Sequence, residues 1–364
     1  MEPSPSHPPI PLAVEAVNAQ WLTDALRWGG HDVVVTDAVQ GGITGGNATK
    51  VRLRVTYDRP TDLPPDVFVK VGMELQDPTK NLTGSTYDIE GRYYLDVLPK
   101  LSTAIVPRCL AVIIDSEASR CALVLDDLVA AGGRFGSPLE RELSVSEVAQ
   151  LLEQLAELHG RWWGGDEAMP IPGLDHGISR TNRLGRYYST FDREYLAGLI
   201  DGPRGAALPA AVADPDRLVA AFWNGADISL KDAPAVIHAD PHLGNIFIRA
   251  DGACGLADWQ TLRWGRWSHD VAYLLGSALT VEDRRTAESE LLATYLDALR
   301  SVTDQAPGEE AAKQAYRESM IYGLVGWLTA PPYFGYSEEY SSAYASKFAQ
   351  AVVDHDTLGA LVGA

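Results

Sequence analysis

The sequence has 364 residues, enough for two domains or one large two-lobed domain, and its 46% hydrophobic and 22% charged residues are typical of a globular protein. Its net charge of −19, without any Lys/Arg run, disfavours a large nucleic-acid partner, because a polyanion needs a basic patch. The sequence shows neither the pattern of a signal peptide nor an apolar run of about 18–20 residues. It therefore predicts neither secretion nor a membrane span. Three cysteines without CxxC spacing are typical of buried free thiols, so the expected location is the cytoplasm.

The first part of the chain predicts a tail, a short helix and a strand. Residues 1–15 are rich in proline and serine and are expected to form a disordered tail. Asn18 is a candidate N-cap for a helix that contains Trp21 and ends at a pair of glycines. A strand is expected over residues 32–39.

A glycine-rich stretch follows, with the sequence Gln40-Gly41-Gly42-Ile43-Thr44-Gly45-Gly46-Asn47. Residues 50–57 then alternate strictly between polar and apolar, which predicts a half-buried strand. A Rossmann loop would be followed by a helix, whereas a strand is predicted here. A Walker A loop would carry Gly-Lys-Ser/Thr, which this stretch lacks, so neither kind of loop is present. The glycines form either an ordinary hairpin turn or a turn whose backbone amides can approach phosphate oxygens.

The next strand, residues 66–71, carries Lys70 within an apolar run. A lysine in such a place either reaches the surface or has an acidic partner. The candidate partner is Glu90, on a helix predicted over residues 86–98 by its apolar spacing. Asp88 and Glu74 are competing partners, and a solvated helix face is the alternative for Glu90.

The middle of the chain predicts two strands, over residues 109–115 and 121–125, and then a long helix. Ser144 and Glu147 have the spacing of a capping box at the start of that helix. His159, near its end, is interpreted as a packing residue. Residues 164–232 contain loops and short helices without a distinctive motif.

The most informative stretch is His238-Ala239-Asp240-Pro241-His242-Leu243-Gly244-Asn245, followed by Asp258-Trp259-Gln260. Short buried strands are predicted before it and between its two parts. Asp240 and Asn245 therefore lie on one loop, and Asp258 lies just beyond a nearby strand. Phosphoryl transfer to a hydroxyl needs one carboxylate to orient the acceptor, and an amide oxygen with a second carboxylate to hold Mg²⁺. Two hairpin loops with turn-forming Asp and Asn are the simpler alternative.

The pattern His-x-Asp-x-x-x-x-Asn, followed by a strand and Asp-Trp-Gln, resembles the aminoglycoside phosphotransferase/choline kinase superfamily, including its ecdysteroid-kinase-like branch. The resemblance implies that Asp240 is the catalytic base and that Asn245 and Asp258 bind Mg²⁺. It implies that His238 and Asp270 support the loop, with Asp270 as the N-cap of the following helix. His242 is expected to be structural rather than a substrate contact.

The resemblance also implies a nucleotide site for ATP or GTP. Lys70 would contact the α- and β-phosphates and pair with Glu90, and the glycine turn would cover the phosphates. The segment Ala122–Leu128 is similar to the family's linker between lobes, where the base is bound by backbone groups. The residues implied for nucleotide binding are Gly42, Thr44, Gly45, Gly46, Lys70, Glu90, Asp126 and Leu128.

The expected acceptor is a small molecule with a hydroxyl group. Only eleven residues separate Asp258 from Asp270, and no Ala-Pro-Glu follows, so the long activation segment of protein kinases has no room. Aminoglycosides, choline, macrolides, amino sugars, steroids and nucleoside antibiotics are all used within the superfamily. Aromatic candidates for the lining of the acceptor site are Trp264, Trp267, Tyr333, Phe334 and Tyr336.

The implied fold is a two-lobed, protein-kinase-like α+β fold. Residues 16–126 would form a small lobe with an antiparallel sheet that binds nucleotide. Residues 127–364 would form a larger, mainly helical lobe for catalysis and acceptor binding. Three alternatives remain: a metal-dependent hydrolase that uses His238, Asp240 and His242 as ligands, a nucleotide-binding pseudokinase, and a scaffold protein.

Overall fold

The computed structural model describes residues 7–44, 48–72, 87–118, 120–165 and 169–363. They form a small N-terminal lobe and a larger C-terminal lobe. One hydrophobic core lies within the small lobe, and a second core fills the large lobe and extends to Tyr93, Leu123 and Leu125 of the small lobe. Within the described ranges, no helix is both long enough and apolar enough to cross a membrane.

The small lobe is built around a five-stranded sheet whose neighbouring strands are antiparallel, in the order β1-β2-β3-β5-β4. Its elements, in chain order, are α1 (Ala19–Trp28), β1 (Val35–Thr44), β2 (Thr49–Tyr57), β3 (Asp66–Val71), α2 (Tyr87–Arg92), β4 (Cys109–Asp115) and β5 (Arg120–Asp126).

The alternation of residues in β2 explains how the sheet is packed. Val51, Leu53 and Val55 are buried in the core beneath α1, while the intervening basic side chains project from the other face. Asn18 caps α1 as predicted, because its side chain accepts a hydrogen bond from the Trp21 amide at 3.1 Å. The Trp21 indole donates to the carbonyl of Pro9, so the segment before α1 contacts the small lobe from Pro9 onwards.

Two predicted boundaries in the small lobe differ from the structure. Strand β1 continues through the first glycines to Thr44, with an irregular register between Gln40 and Gly42. The helix that carries Glu90 ends at Arg92 and continues as a wider π-helical turn over Tyr93–Val97, instead of running regularly to residue 98. This turn places the Tyr93 ring against the Trp259 ring of the large lobe, with centroids 3.8 Å apart.

The large lobe is mainly helical and includes two small antiparallel sheets, β10-β7 and β6-β8-β9. Its elements are β6 (Arg134–Phe135), α3 (Val145–Arg161), α4 (Arg183–Tyr188), α5 (Arg193–Ile200), α6 (Pro215–Ser229), β7 (Ala235–Ile237), β8 (Ile246–Ile248), β9 (Cys254–Leu256), β10 (Arg263–Gly265), α7 (Trp267–Ala278), α8 (Val281–Arg300), α9 (Glu309–Leu328), α10 (Glu338–Asp354) and α11 (Thr357–Val362).

The small sheets of the large lobe hold the informative loop. The capping box of Ser144 and Glu147 starts α3 as predicted, and α3 packs against α8 and β7. Residues 238–245 connect β7 to β8, and Asp258 follows β9. Because β7 and the β8-β9 hairpin are fully buried, the loops at their ends have fixed positions below the sheet of the small lobe.

Candidate active site

Two cavities meet between the lobes. The first, a cleft, lies under β2 and β3 and includes Lys70, Glu90, Asp126 and Leu128 in its lining. The second, of about 340 Å³, lies beside Asp240 and is bounded by α4, α7, α9 and the segment before α10. Lys50, Asn245 and Asp258 line both cavities, so these three side chains mark the junction between them.

Lys70 joins the two lobes through two carboxylates. Its Nζ lies 2.5 Å from Glu90 Oε2 and 2.8 Å from Asp258 Oδ1. Burial lowers the pKa of Lys70, but the charges of Asp258 and Glu90 outweigh it and raise that pKa, so the ammonium stays charged. Burial raises the pKa of Asp258, but Lys70 and Lys50 outweigh it and hold that pKa well below its usual range. Glu90 is thus the partner of Lys70, as predicted, and Asp88 pairs with Arg92 instead. The other competing candidate, Glu74, lies outside the described residues.

Asp258 occupies an unusual backbone conformation. Its φ of 67° and ψ of 60° place a residue other than glycine in the left-handed region. Such conformations cost on the order of 1–3 kcal/mol and persist where the surrounding structure fixes them. Here the neighbouring Ala257 amide donates to the carbonyl of Asn245 at 2.9 Å, which ties the Asp258 segment to the loop after β7.

Asp240 and Asn245 contact each other within that loop. The Asn245 side-chain nitrogen donates to the Asp240 carbonyl at 2.9 Å and to Asp240 Oδ2 at 3.1 Å. Because the amide nitrogen is bonded to Asp240, the amide oxygen is the atom left for a cation. An amide oxygen together with the ionised Asp258 carboxylate is a donor set that suits Mg²⁺, which prefers hard oxygen ligands.

The carboxyl group of Asp240 lies at the floor of the second cavity. Burial, and then the charge of Asp258, raise the pKa of Asp240 to about 8, against the opposing effects of Arg263, Asn245 and Tyr273. A group with a pKa near neutral pH is suited to accept a proton during a reaction.

Asp270 holds the loop in place from α7. Its carboxylate accepts hydrogen bonds from the backbone amides of His238 at 2.7 Å and Ala239 at 2.8 Å. His159 contacts the same carboxylate at 3.2 Å, which agrees with the packing role expected for this histidine. The prediction that Asp270 is a helix N-cap is wrong: α7 begins at Trp267, and Asp270 lies in its first turn. The Asp270 carboxylate therefore stabilises the loop after β7 and does not cap the N-terminus of α7.

The two histidines of the loop face protein groups. His238 Nδ1 accepts from the Asp240 amide, and its Nε2 lies 3.1 Å from the Ala257 carbonyl. His242 Nδ1 accepts from the Gly244 amide at 3.0 Å. Within the described ranges, no group of three or more His, Cys, Asp or Glu side chains could hold a metal ion. The ring contacts thus argue against a zinc-type triad of His238, Asp240 and His242.

Comparison with known proteins adds the family. The model of a phosphotransferase enzyme family matches residues 81–311, which is more than half of the chain. The chain belongs to this phosphotransferase family. The match covers the segments that contain Glu90, Asp240, Asn245, Asp258 and Asp270, and it identifies the chain as a member of a family of phosphotransferase enzymes. No curated protein matches the sequence significantly.

Solved structures of three kinases and phosphotransferases resemble this chain at low sequence identity. A choline kinase from Cryptosporidium parvum Iowa II superposes with a TM-score of 0.51 at 11% identity, over 88% of this chain and 91% of that one. The choline kinase LicA from Streptococcus pneumoniae gives 0.49 at 14% identity, over 88% and 94%. The macrolide 2'-phosphotransferase MphH from Brachybacterium faecium gives 0.47 at 16% identity, over 90% and 97%. The superposition on the Cryptosporidium choline kinase, with a TM-score above 0.5, confirms the two-lobed kinase-like α+β fold.

The glycine turn of this phosphotransferase is only partly described. Gly42 lies in β1 opposite Arg52, and Thr44 lines the second cavity rather than the cleft under the sheet. Gly45 and Gly46 lie outside the described residues. In the linker, one oxygen of Asp126 is buried and has no hydrogen-bond partner within the described part of the chain.

The sequence analysis missed Lys50. This residue is the second of β2, stands opposite Lys70 across the strand pair, and places its Nζ 3.8 Å from Asp258 Oδ2. The strict alternation of β2 puts Lys50 on the face of the sheet away from the core, together with other basic residues. The alternation alone does not show which of these basic residues lines the site and which is exposed to solvent. The pairing register between β2 and β3 provides that distinction.

Two aromatic predictions are wrong. Trp267 stacks on Tyr295 and Trp264 stacks on His176, and both indoles are buried away from the second cavity. Phe334 and Tyr336 do line that cavity. The side chain of Tyr333 lies outside the described residues. Trp264 and Trp267 are internal because β10 pairs with β7 and α7 packs on α8, neither of which the sequence pattern shows.

Proposed function

We propose that this enzyme transfers the γ-phosphate of ATP or GTP to a hydroxyl group of a small molecule. The observation that supports this most directly is the junction of the two cavities. Asp258 and Asn245 face the cleft that holds Lys70 and Glu90, and they also face the cavity that holds Asp240. A phosphoryl group at this junction would lie between a donor on one side and an acceptor on the other.

The nucleotide binds in the cleft under β2 and β3. Lys70, kept charged and oriented by Glu90, contacts the phosphates, and the glycine turn with Gly42, Thr44, Gly45 and Gly46 covers them. Asp126 and Leu128 border the end of the cleft formed by the linker between the lobes, where the base binds.

Asp240 accepts the proton of the acceptor hydroxyl. The acceptor oxygen forms a bond to the γ-phosphorus, the bond between that phosphorus and the bridging oxygen breaks, and the nucleoside diphosphate leaves with the bond's electrons. The hydrogen bonds from Asn245 and the held backbone of His238 and Ala239 fix the position of Asp240 during this exchange.

Asn245 and Asp258 would hold magnesium, whose charge neutralises the triphosphate when it is bound. The nearby lysines contribute to the same neutralisation, since Lys70 and Lys50 already contact the Asp258 carboxylate. Removal of divalent cations with a chelator should therefore weaken nucleotide binding, and added Mg²⁺ should restore it.

The test is the release of ADP or GDP from ATP or GTP in the presence of Mg²⁺ and hydroxyl-bearing acceptors. Acceptor-dependent release that falls by about 10²–10⁴ in Asp240→Ala, with nucleotide binding retained, is the expected result. Asp251→Ala, in the exposed turn after β8, is the control and should keep full activity. Unchanged turnover in Asp240→Ala would contradict the assignment of the base.

A further inference from the structure

His242 is a buried ring in the loop after β7, and the proposed reaction gives it no role. It is 2% exposed and lies in the lining of the second cavity, two residues after Asp240. The rings of Trp327 on α9 and Tyr344 on α10 pack against it, with centroids 5.1 Å and 5.8 Å from its own. The close packing of these rings holds the imidazole in one orientation.

The surroundings of the ring determine which of its nitrogen atoms carries the proton. Burial lowers the pKa of His242 to about 3, so the ring is neutral near pH 7 and has a single N–H group. Its Nδ1 lies 3.0 Å from the Gly244 amide, which can only donate, so Nδ1 is a hydrogen-bond acceptor. The proton is therefore on Nε2, and the ring is a donor at that atom.

This donor has no close acceptor within the described part of the chain. Tyr336 Oη lies 3.5 Å from His242 Nε2, and Asp240 Oδ2 lies 3.8 Å from it. Both distances exceed the usual range of about 2.7–3.2 Å for an N–H···O hydrogen bond. A buried donor without an acceptor is costly. Because His242, Asp240 and Tyr336 all line the second cavity, an oxygen atom that enters this cavity can complete the bond.

The separation of His242 Nε2 and Asp240 Oδ2 fits one hydroxyl oxygen. An oxygen atom about 2.8 Å from each of them forms a triangle over the 3.8 Å between the two atoms. A hydroxyl group can donate its proton to the carboxylate and accept a hydrogen bond from the imidazole at the same time. A second lone pair of the oxygen is then free to attack the γ-phosphorus.

We propose that His242 is a catalytic residue whose Nε2–H donates a hydrogen bond to the oxygen of the acceptor hydroxyl. This inference rests on the proposed function, because it takes the second cavity as the acceptor site and Asp240 as the base. The acceptor oxygen loses its proton to Asp240 while it bonds to phosphorus, and the imidazole donor stabilises the negative charge that develops on this oxygen. His242 keeps its own proton, so the proton balance of the transfer is unchanged.

Two substitutions separate this role from a purely structural one. His242→Asn keeps an acceptor near the position of Nδ1, which can still cap the turn Leu243–Asn245, but it removes the donor at Nε2. His242→Gln keeps a donor near the position of Nε2 but loses the cap. A structural role alone predicts that His242→Gln is the more damaging change, whereas the proposed role predicts the lower turnover in His242→Asn.

Turnover is measured as Mg²⁺-dependent release of ADP or GDP by the full chain, first with water as the acceptor and then with added glycerol. We expect His242→Asn to lower kcat about 10–10²-fold, with little change in the nucleotide Kd or in the midpoint of urea denaturation. His242→Gln should turn over about tenfold faster than His242→Asn and unfold at lower urea. His31→Asn is the control, because this histidine belongs to the small lobe and its ring contacts the Leu110 carbonyl.

Nitrogen-15 NMR of histidine-labelled protein tests the tautomer without any acceptor. His242 should show the neutral Nε2–H form from about pH 5 to pH 9. A charged ring or an Nδ1–H form would overturn the inference. Wild-type turnover in His242→Asn, or turnover in His242→Gln that does not exceed that of His242→Asn, would also overturn it. Wild-type protein without Mg²⁺-dependent nucleotide binding or turnover would instead contradict the proposed function itself.

Discussion

Lys50 and Lys70 lie directly opposite each other on β2 and β3, and both ammonium groups reach the carboxylate of Asp258. Like charges directly opposite on adjacent strands are destabilising, so this pair needs compensation. Glu90 and Asp258 provide it, one from the small lobe and one from the large lobe. In the proposed reaction, these two cations at the boundary of the two cavities would share the negative charge of the transferring phosphoryl group.

Lys50→Met should lower kcat by about 10²-fold or more, because Lys50 lines both cavities and would act mainly on the charge that develops during transfer. The Kd for nucleotide, measured by calorimetry, should change much less. Arg54→Met is the matched control, since Arg54 lies on the same face of β2 and pairs with Asp66 away from the site. Equal losses in the two variants would assign both effects to the strand rather than to the site.

Lys70→Met should abolish tight nucleotide binding and also destabilise the fold. It leaves Glu90, which is 4% exposed, without its partner, and an uncompensated buried charge costs about 3–5 kcal/mol. The double variant Lys70→Met/Glu90→Met should recover much of that stability without recovering nucleotide binding. Urea denaturation followed by fluorescence measures the first quantity. A double variant as unstable as the single one would show that Glu90 is not the source of the loss.

The reaction rate should rise with pH. The folded pKa of Asp240 is about 8, against 3.8 for an ordinary aspartate, so the ionised base becomes more populated as the pH increases from 6 to 8. We expect kcat/KM to increase up to about tenfold per pH unit below 8 and to level off above it. A rate that is independent of pH over this range would contradict the role of Asp240.

Stability should depend on pH in the opposite direction. Between pH 3.8 and about 8 the folded protein retains a proton on Asp240 that the unfolded chain loses, so this group's contribution falls as the pH rises through that window. Asp240→Asn has no such titration, so its free energy of unfolding relative to the wild type should increase from pH 6 to pH 8. Parallel urea titrations at the two pH values measure this difference, and a constant difference would disprove it.

Asp270→Asn should weaken the loop after β7. The charged carboxylate accepts two backbone amides and contacts His159, and hydrogen bonds to charged groups contribute about 1.5–3 kcal/mol each. We expect a lower melting temperature and a reduced kcat, because Ala239 and Asp240 lose their fixed position. Asp297→Asn on the exposed face of α8 is the control and should have neither effect.

The sequence by itself determined the local elements and singled out most of the residues that the structure brings together at the two cavities. The capping signals at Asn18 and Ser144, the alternation of β2 and the spacing of Asp240, Asn245 and Asp258 are properties of short segments, and short-range physics is visible in a single sequence. The choice of Glu90 as the partner of Lys70 also followed from the helical spacing and the motif order.

Only the tertiary structure decided which side chains share a cavity. Lys50 joined the site through the register of β2 against β3, and Arg263 and Tyr322 reached the second cavity from β10 and α9, about 60 residues apart in the chain. Trp264 and Trp267 were buried by the packing of the same region, although they lie within ten residues of Asp258. Whether these two indoles are buried or line the cavity depends on which surfaces pack together in the folded protein. Such packing joins segments that are distant in the chain, so no local sequence pattern predicts it.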